Sequence, residues 1–133
     1  MEMNFLRRFL NEKRWLQTRR LGLLVIVIAL AIMTHVPIPR SVQQIRVSDK
    51  LVHLLAYFPL GLLLPACAIR GLGRVGICLL VIAGWGILDE LLQIPVGRTA
   101  SVYDWLADLA GATAGCVVYQ HFSTTTDLEA DSD

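Results

Sequence analysis

The sequence predicts an all-α polytopic membrane protein, with four transmembrane helices in one antiparallel bundle and both termini in the cytoplasm. Three observations lead there. Of the 133 residues, 55% are hydrophobic and only 17% charged, too apolar a balance for an ordinary soluble domain of this length. The apolar residues collect into four runs near the ~20 residues that cross a bilayer core. The basic residues crowd at the N-terminus, and a bias of that kind sets orientation.

Residues 1–20 form a basic N-terminal segment carrying Arg7, Arg8, Lys13, Arg14, Arg19 and Arg20. Phe5, Leu6, Phe9, Leu10 and Leu16 alternate with these charges, which fits either a short helix on the anionic inner leaflet or a disordered basic tail. Span one, 21–39, holds 19 residues without a formal charge. Ala29-Leu30-Ala31 within it has the form of a signal-peptidase site, but the apolar run continues past it, so the segment is expected to be retained. Span two, 51–69, is again 19 residues without a formal charge.

Span three, 75–94, reaches spanning length only by including Asp89 and Glu90, and span four, 102–122, only by including Asp104 and Asp108. Short turns at 70–74 and 95–101 leave no linker long enough to divide the chain, so 21–122 reads as one four-helix domain. The acidic tail 123–133 has nothing to bury and is expected to be disordered. Four crossings from a cytoplasmic N-terminus put eight basic residues inside and Arg40, Arg46, Lys50 and Arg98 outside. A multi-pass protein of the cell membrane is expected. Cys67, Cys78 and Cys116 have no metal-ligand spacing and read as small packing residues. The basic residues form no stripe interleaved with aromatics, which excludes a nucleic-acid partner.

This topology gathers the unusual polar residues at one level. Lys50 starts span two, Glu90 lies near the end of span three and Asp104 starts span four. At ~1.5 Å per residue, His53 lies ~5 Å and Tyr57 ~10 Å below Lys50, and Asp108 ~6 Å below Asp104, all within the outer leaflet. At ~100° per residue, Lys50, His53, Tyr57 and Gly61 share one stripe, as do Ala83, Gly86, Glu90 and Gln93, and Ser101, Asp104, Asp108, Gly111 and Gly115. Small residues mark helix contacts in membranes, so Gly61, Gly86, Gly111 and Gly115 are expected packing positions and the acids that continue their stripes should face inward. Gly111 and Gly115 suit packing within the chain or a dimer, and four helices favour the former. Asp89 falls ~100° from Glu90, outside these stripes.

The segments DKLVHLLAYFPLG, GWGILDELLQ and GRTASVYDWLADLAGATAG, within residues 48–116, resemble the three ordered motifs of the VanZ-like family of small membrane proteins, whose namesake is associated with teicoplanin resistance. In that resemblance the matching positions are Asp49, Lys50, His53, Tyr57, Glu90, Gln93, Arg98, Asp104, Asp108 and Gly111. Many members carry a histidine before the glutamine of the second motif, where this chain has Leu92.

With all groups ionised, Asp49, Asp89, Glu90, Asp104 and Asp108 exceed Lys50 and Arg98 by three negative charges. Such an excess at membrane depth requires either protonated carboxylates or a cationic group from outside. The second choice makes the cluster, with Ser101 at its rim, a ligand site for membrane lipids. Phospholipids, lipid-linked cell-wall precursors and lipoglycopeptides have the required polar head and apolar tail. A different reading makes it an enzyme on an outer-leaflet lipid, with His53, Glu90 and Asp108 moving protons. No nucleophile elbow or zinc-protease motif accompanies those residues. His53 with Asp49, Glu90 and Asp108 offers donors for a divalent ion, but a lone histidine among carboxylates is a weak metal signal, so no cofactor is expected. A third reading is structural: Lys50 with Glu90 and Arg98 with Asp104 as ion-pair staples, Tyr57, Trp105 and Trp15 as interfacial anchors, and Gln93 as a helix cap.

Overall fold

A computed structural model describes residues 2–11, 15–35, 49–68, 73–97 and 99–130. Its helices are α1 (Glu2–Asn11), α2 (Leu16–His35), α3 (Asp49–Cys67), α4 (Arg74–Gln93) and α5 (Val102–Ala130), with a short 3-10 turn at Ile94–Val96 between the last two. The described residues contain no strand. Three helices, α2, α3 and α4, are long and apolar enough to cross a membrane.

The basic N-terminal segment is helical and packs on α5 and α3. Leu10 from its apolar face is buried, while Phe5, Phe9 and Trp15 meet edge and face at ring separations of 5.6 to 6.2 Å. Arg19, itself buried, donates to the carbonyl of Phe9 at 3.2 Å and to that of Leu10. Those are among the last carbonyls of α1, which have no partner within their own helix. Trp15 is thus half-buried in an aromatic cluster with α1. At the other terminus α5 runs on to Ala130, where the sequence reading ends the span at 122 and leaves a disordered tail. Residues 123–130 contain neither glycine nor proline, so nothing stops the helical hydrogen-bond ladder when the apolar pattern ends.

α3 and α5 make the most extensive contact in the fold. Their backbones approach closely because the facing positions lack side chains. A Cβ at Gly111 would fall on the backbone of Leu54, one at Gly115 on that of Phe58, and one at Gly61 on that of Ala112. Gly86 on α4 instead faces the Trp105 ring and the Asp108 carboxylate of α5. Around this pair, Leu30 of α2, Tyr57 and Leu60 of α3, Ile82 of α4 and Ala112 of α5 share one buried apolar cluster. The outer surface is apolar too: Leu24, Ile28, Leu55, Leu80, Val81 and Val117 are all at least half exposed or close to it. Soluble proteins do not carry so large an aliphatic belt, whereas lipid tails solvate one without cost.

Pro65 lies inside α3 and cannot donate the helical hydrogen bond to Gly61. The buried Cys116 thiol of α5 approaches that carbonyl at 3.2 Å and supplies the missing donor. Replacing Cys116 with valine should therefore cost about 1–2 kcal/mol, the penalty of an unsatisfied buried acceptor, whereas serine should retain most of the stability. Thermal unfolding of the two variants in detergent checks this. Toward the same end, Arg74 at the start of α4 donates to the Tyr119 hydroxyl of α5.

Candidate functional site

α3 and α5 begin at the same end of the fold, where α4 finishes, and that end collects the polar residues. The outermost pair is Lys50 Nζ with Asp104 Oδ1 at 3.1 Å, the lysine side chain 55% exposed and the aspartate 10%. One helical turn deeper, His53 Nδ1 and Asp108 Oδ1 lie 2.9 Å apart with 8% and 1% exposure. The two pairs repeat because positions three or four apart stack on one face of each helix. Deeper still on the same stripe, the Tyr57 hydroxyl lies in the field of the Asp108, Asp89 and Glu90 carboxylates.

α4 contributes from the side. The 3-10 turn ends on Gly97 at φ 80°, a left-handed conformation that glycine adopts without strain, and it swings the chain back over the end of α4. This brings the Ser101 amide to Glu90 Oε2, to which it donates at 2.6 Å. Ser101 also caps α5: its hydroxyl accepts from the Asp104 amide at 3.3 Å, and its carbonyl accepts from Asp104 and Trp105. Gln93 donates from its amide to Asp89 Oδ2 at 3.4 Å. One ligand-capable atom from each of His53, Glu90 and Asp108 lies within 4.8 Å of the others, and all three residues are buried.

Lys50, His53, Tyr57, Glu90, Gln93, Ser101, Asp104 and Asp108 are thus neighbours. The Asp49 side chain and all of Arg98 lie outside the described residues, so the expected Arg98–Asp104 pair is not addressed. The other expected staple is corrected: Lys50 pairs with Asp104, because their positions are level on adjoining helices, and Glu90 instead meets the Ser101 amide. Tyr57 is 1% exposed and belongs to the core, not to an interfacial belt. Trp105 braces α5 against α4, donating from its indole to the Ala83 carbonyl at 3.0 Å. Asp89, which helical phase sets apart from Glu90, is buried as well. α4 contacts both α3 and α5, so two adjacent residues at its end each find a protein face. The Asp89–Gln93 spacing of four was the available signal.

A groove of about 310 Å³ runs beside Glu90 between α4 and the start of α5, lined by Ile87, Glu90, Leu91, Ala100, Ser101, Val102 and Trp105. Ile87, Leu91 and Val102 are 50%, 55% and 70% exposed, so the groove opens sideways, onto the aliphatic exterior. Among the described residues that line it, Glu90 is the charged one and the link to the cluster.

A shell of exposed aliphatic side chains around buried carboxylates and an imidazole defines a helical membrane protein with an interior polar site. Residues 2–123 match the VanZ/LLP1 family, and the chain belongs to that family. No curated protein and no solved structure matches it.

Proposed function

We propose that the protein binds a membrane amphiphile, its tail against the groove walls and its head group at Glu90. The observation that supports this most is Glu90 itself. The residue is 6% exposed, its Oε2 is occupied by the Ser101 amide, and its Oε1 is buried without a hydrogen-bond partner among the described residues. Burying such an atom costs about 1–3 kcal/mol or more when it is charged, unless something completes it. Asp89, Glu90 and Asp108 lie together inside, and among the described residues His53 is the basic group buried with them. A zwitterionic head brings the positive charge, and the apolar walls take the adjoining chain. Phospholipids, lipid-linked cell-wall precursors and lipoglycopeptides all have this construction. The chain purified with its native lipid should carry one enriched head-group class, lost in the Glu90→Gln variant; a lipid profile equal to the bulk membrane would refute the reading.

The site lies in the outer leaflet of the cell membrane in this proposal. α5 is the fourth crossing, its apolar stretch lying along α3 and contributing Ala112 to the core shared by α2, α3 and α4. Residues 21–122 then form the membrane domain, between a basic cytoplasmic segment and an acidic cytoplasmic tail. In a chain freed of its native cysteines, a cysteine at the exposed Thr99 should react with an impermeant reagent in intact cells, and one at Thr18 only after permeabilisation. The reverse pattern would invert the topology.

Lys50 and Asp104 are a structural pair at the rim. Because Lys50 is more than half exposed, Lys50→Met should change stability by no more than about 1 kcal/mol and leave the bound lipid unchanged.

A further inference from the structure

We propose that His53, Glu90 and Asp108 form a binding site for a first-row divalent transition ion, with Zn²⁺ and Mn²⁺ as the ions that suit it. The three residues come from three different helices, α3, α4 and α5, and one donor atom of each lies within 4.8 Å of the other two. Ligand atoms on a tetrahedral ion at ~2.1 Å are ~3.4 Å apart, so a small inward rotation of the side chains completes the set. Two donors are already prepared. Glu90 Oε1 and Asp108 Oδ2 are buried side-chain oxygens without a hydrogen-bond partner among the described residues, on residues 6% and 1% exposed. A buried carboxylate oxygen without a partner calls for an explanation, and beside an imidazole a bound cation supplies one.

Charge points the same way. A divalent ion with two carboxylates and a neutral imidazole is a net-neutral unit, which removes the cost of carrying two ionised acids at membrane depth. His53 Nδ1 and Asp108 Oδ1 already face each other at 2.9 Å, so an ion taken up at Nδ1 would replace that direct contact and be shared by the two residues. An imidazole among carboxylates favours Zn²⁺ or Mn²⁺ over Mg²⁺ and Ca²⁺, which take oxygen ligands. Of the three ligands Glu90 also lines the groove, so a head group there would approach an ion held at Glu90 through a phosphate or carboxylate oxygen. The inference uses the same cluster as the lipid reading but stands without it, since ion binding is measured with no lipid added.

The test uses the untagged full chain in detergent, stripped with a chelator and dialysed separately against Zn²⁺, Mn²⁺ or Mg²⁺, with bound metal counted by elemental mass spectrometry. About one Zn²⁺ or Mn²⁺ per chain is expected, no retained Mg²⁺, and a melting temperature that rises with the ion. His53→Gln and Glu90→Gln should each weaken binding by more than about 100-fold, and Lys50→Met should leave it intact. Co²⁺ in place of Zn²⁺ gives a visible absorption band that His53→Gln removes. Wild-type protein that keeps less than about a tenth of an ion per chain overturns the site. So does metal held equally by folded Glu90→Gln protein, or Mg²⁺ held as well as Zn²⁺. Failure here with a specific head group still enriched on the purified chain leaves the lipid reading in place.

Discussion

Valine at Gly111 or Gly115 should cost the protein at least about 3 kcal/mol and leave little folded material in detergent. The reason is backbone against backbone. At both positions even a Cβ would fall inside the peptide units of α3, on Leu54 or Phe58, and a peptide unit in a helix cannot rotate aside as a side chain can. The helices must separate, and in lipid no hydrophobic gain offsets the lost packing. The separation also pulls Asp108 from His53 and Asp104 from Lys50, since the same two helices carry both pairs. Gly84 is the internal control: it lies on α4, is exposed and has no atom near its missing Cβ. Gly84→Ala should therefore raise stability by about 0.5–1 kcal/mol through helix propensity alone. Thermal unfolding followed by size-exclusion of the detergent-solubilised protein measures both.

Glu90→Gln should empty the site while sparing the fold. A glutamine oxygen can accept from the Ser101 amide as the carboxylate does, and its amide group can donate toward the partnerless Asp108 Oδ2. The hydrogen bonds are conserved, and one of three clustered negative charges is gone. Stability should change by less than about 1 kcal/mol in either direction. The co-purifying amphiphile should fall by about tenfold or more, the equivalent of one charge-assisted contact worth about 1.4 kcal/mol. A melting temperature that collapses in this variant, with the lipid content unchanged, would make Glu90 a structural residue.

Helical phase was enough to align Lys50, His53 and Tyr57 on one stripe and Asp104 and Asp108 on another, because both stripes continue into glycines that mark a helix contact. Partners were not legible. Which acid meets Lys50 depends on the axial offset of α3 against α5, and that offset is set by the seating of Gly111 on Leu54 and Gly115 on Phe58. The inward position of Asp89 was hidden for a related reason: a helix wedged between two others has two buried faces, and one hydrophobic stripe reveals only one. Apolar–basic alternation in the first twenty residues left a helix and a tail equally open. The Arg19 contact with the end of α1 involves a residue eight positions beyond that helix, beyond the reach of any local pattern. Likewise Cys116 reads as a small apolar residue until Pro65 is found to have stripped a donor from the carbonyl opposite.

The measurement that bears most directly on the amphiphile site is photocrosslinking in native membranes from a photoreactive residue at Val102, on the groove wall, compared with one at Leu55, in the same half of the fold. Both positions are exposed, 70% and 61%, but Leu55 is not part of the groove. We expect Val102 to capture one head-group class far above its membrane abundance, Glu90→Gln to abolish that enrichment, and Leu55 to report the surrounding lipid composition in both proteins. Equal lipid mixtures at Val102 and Leu55 in the wild-type chain would contradict the account.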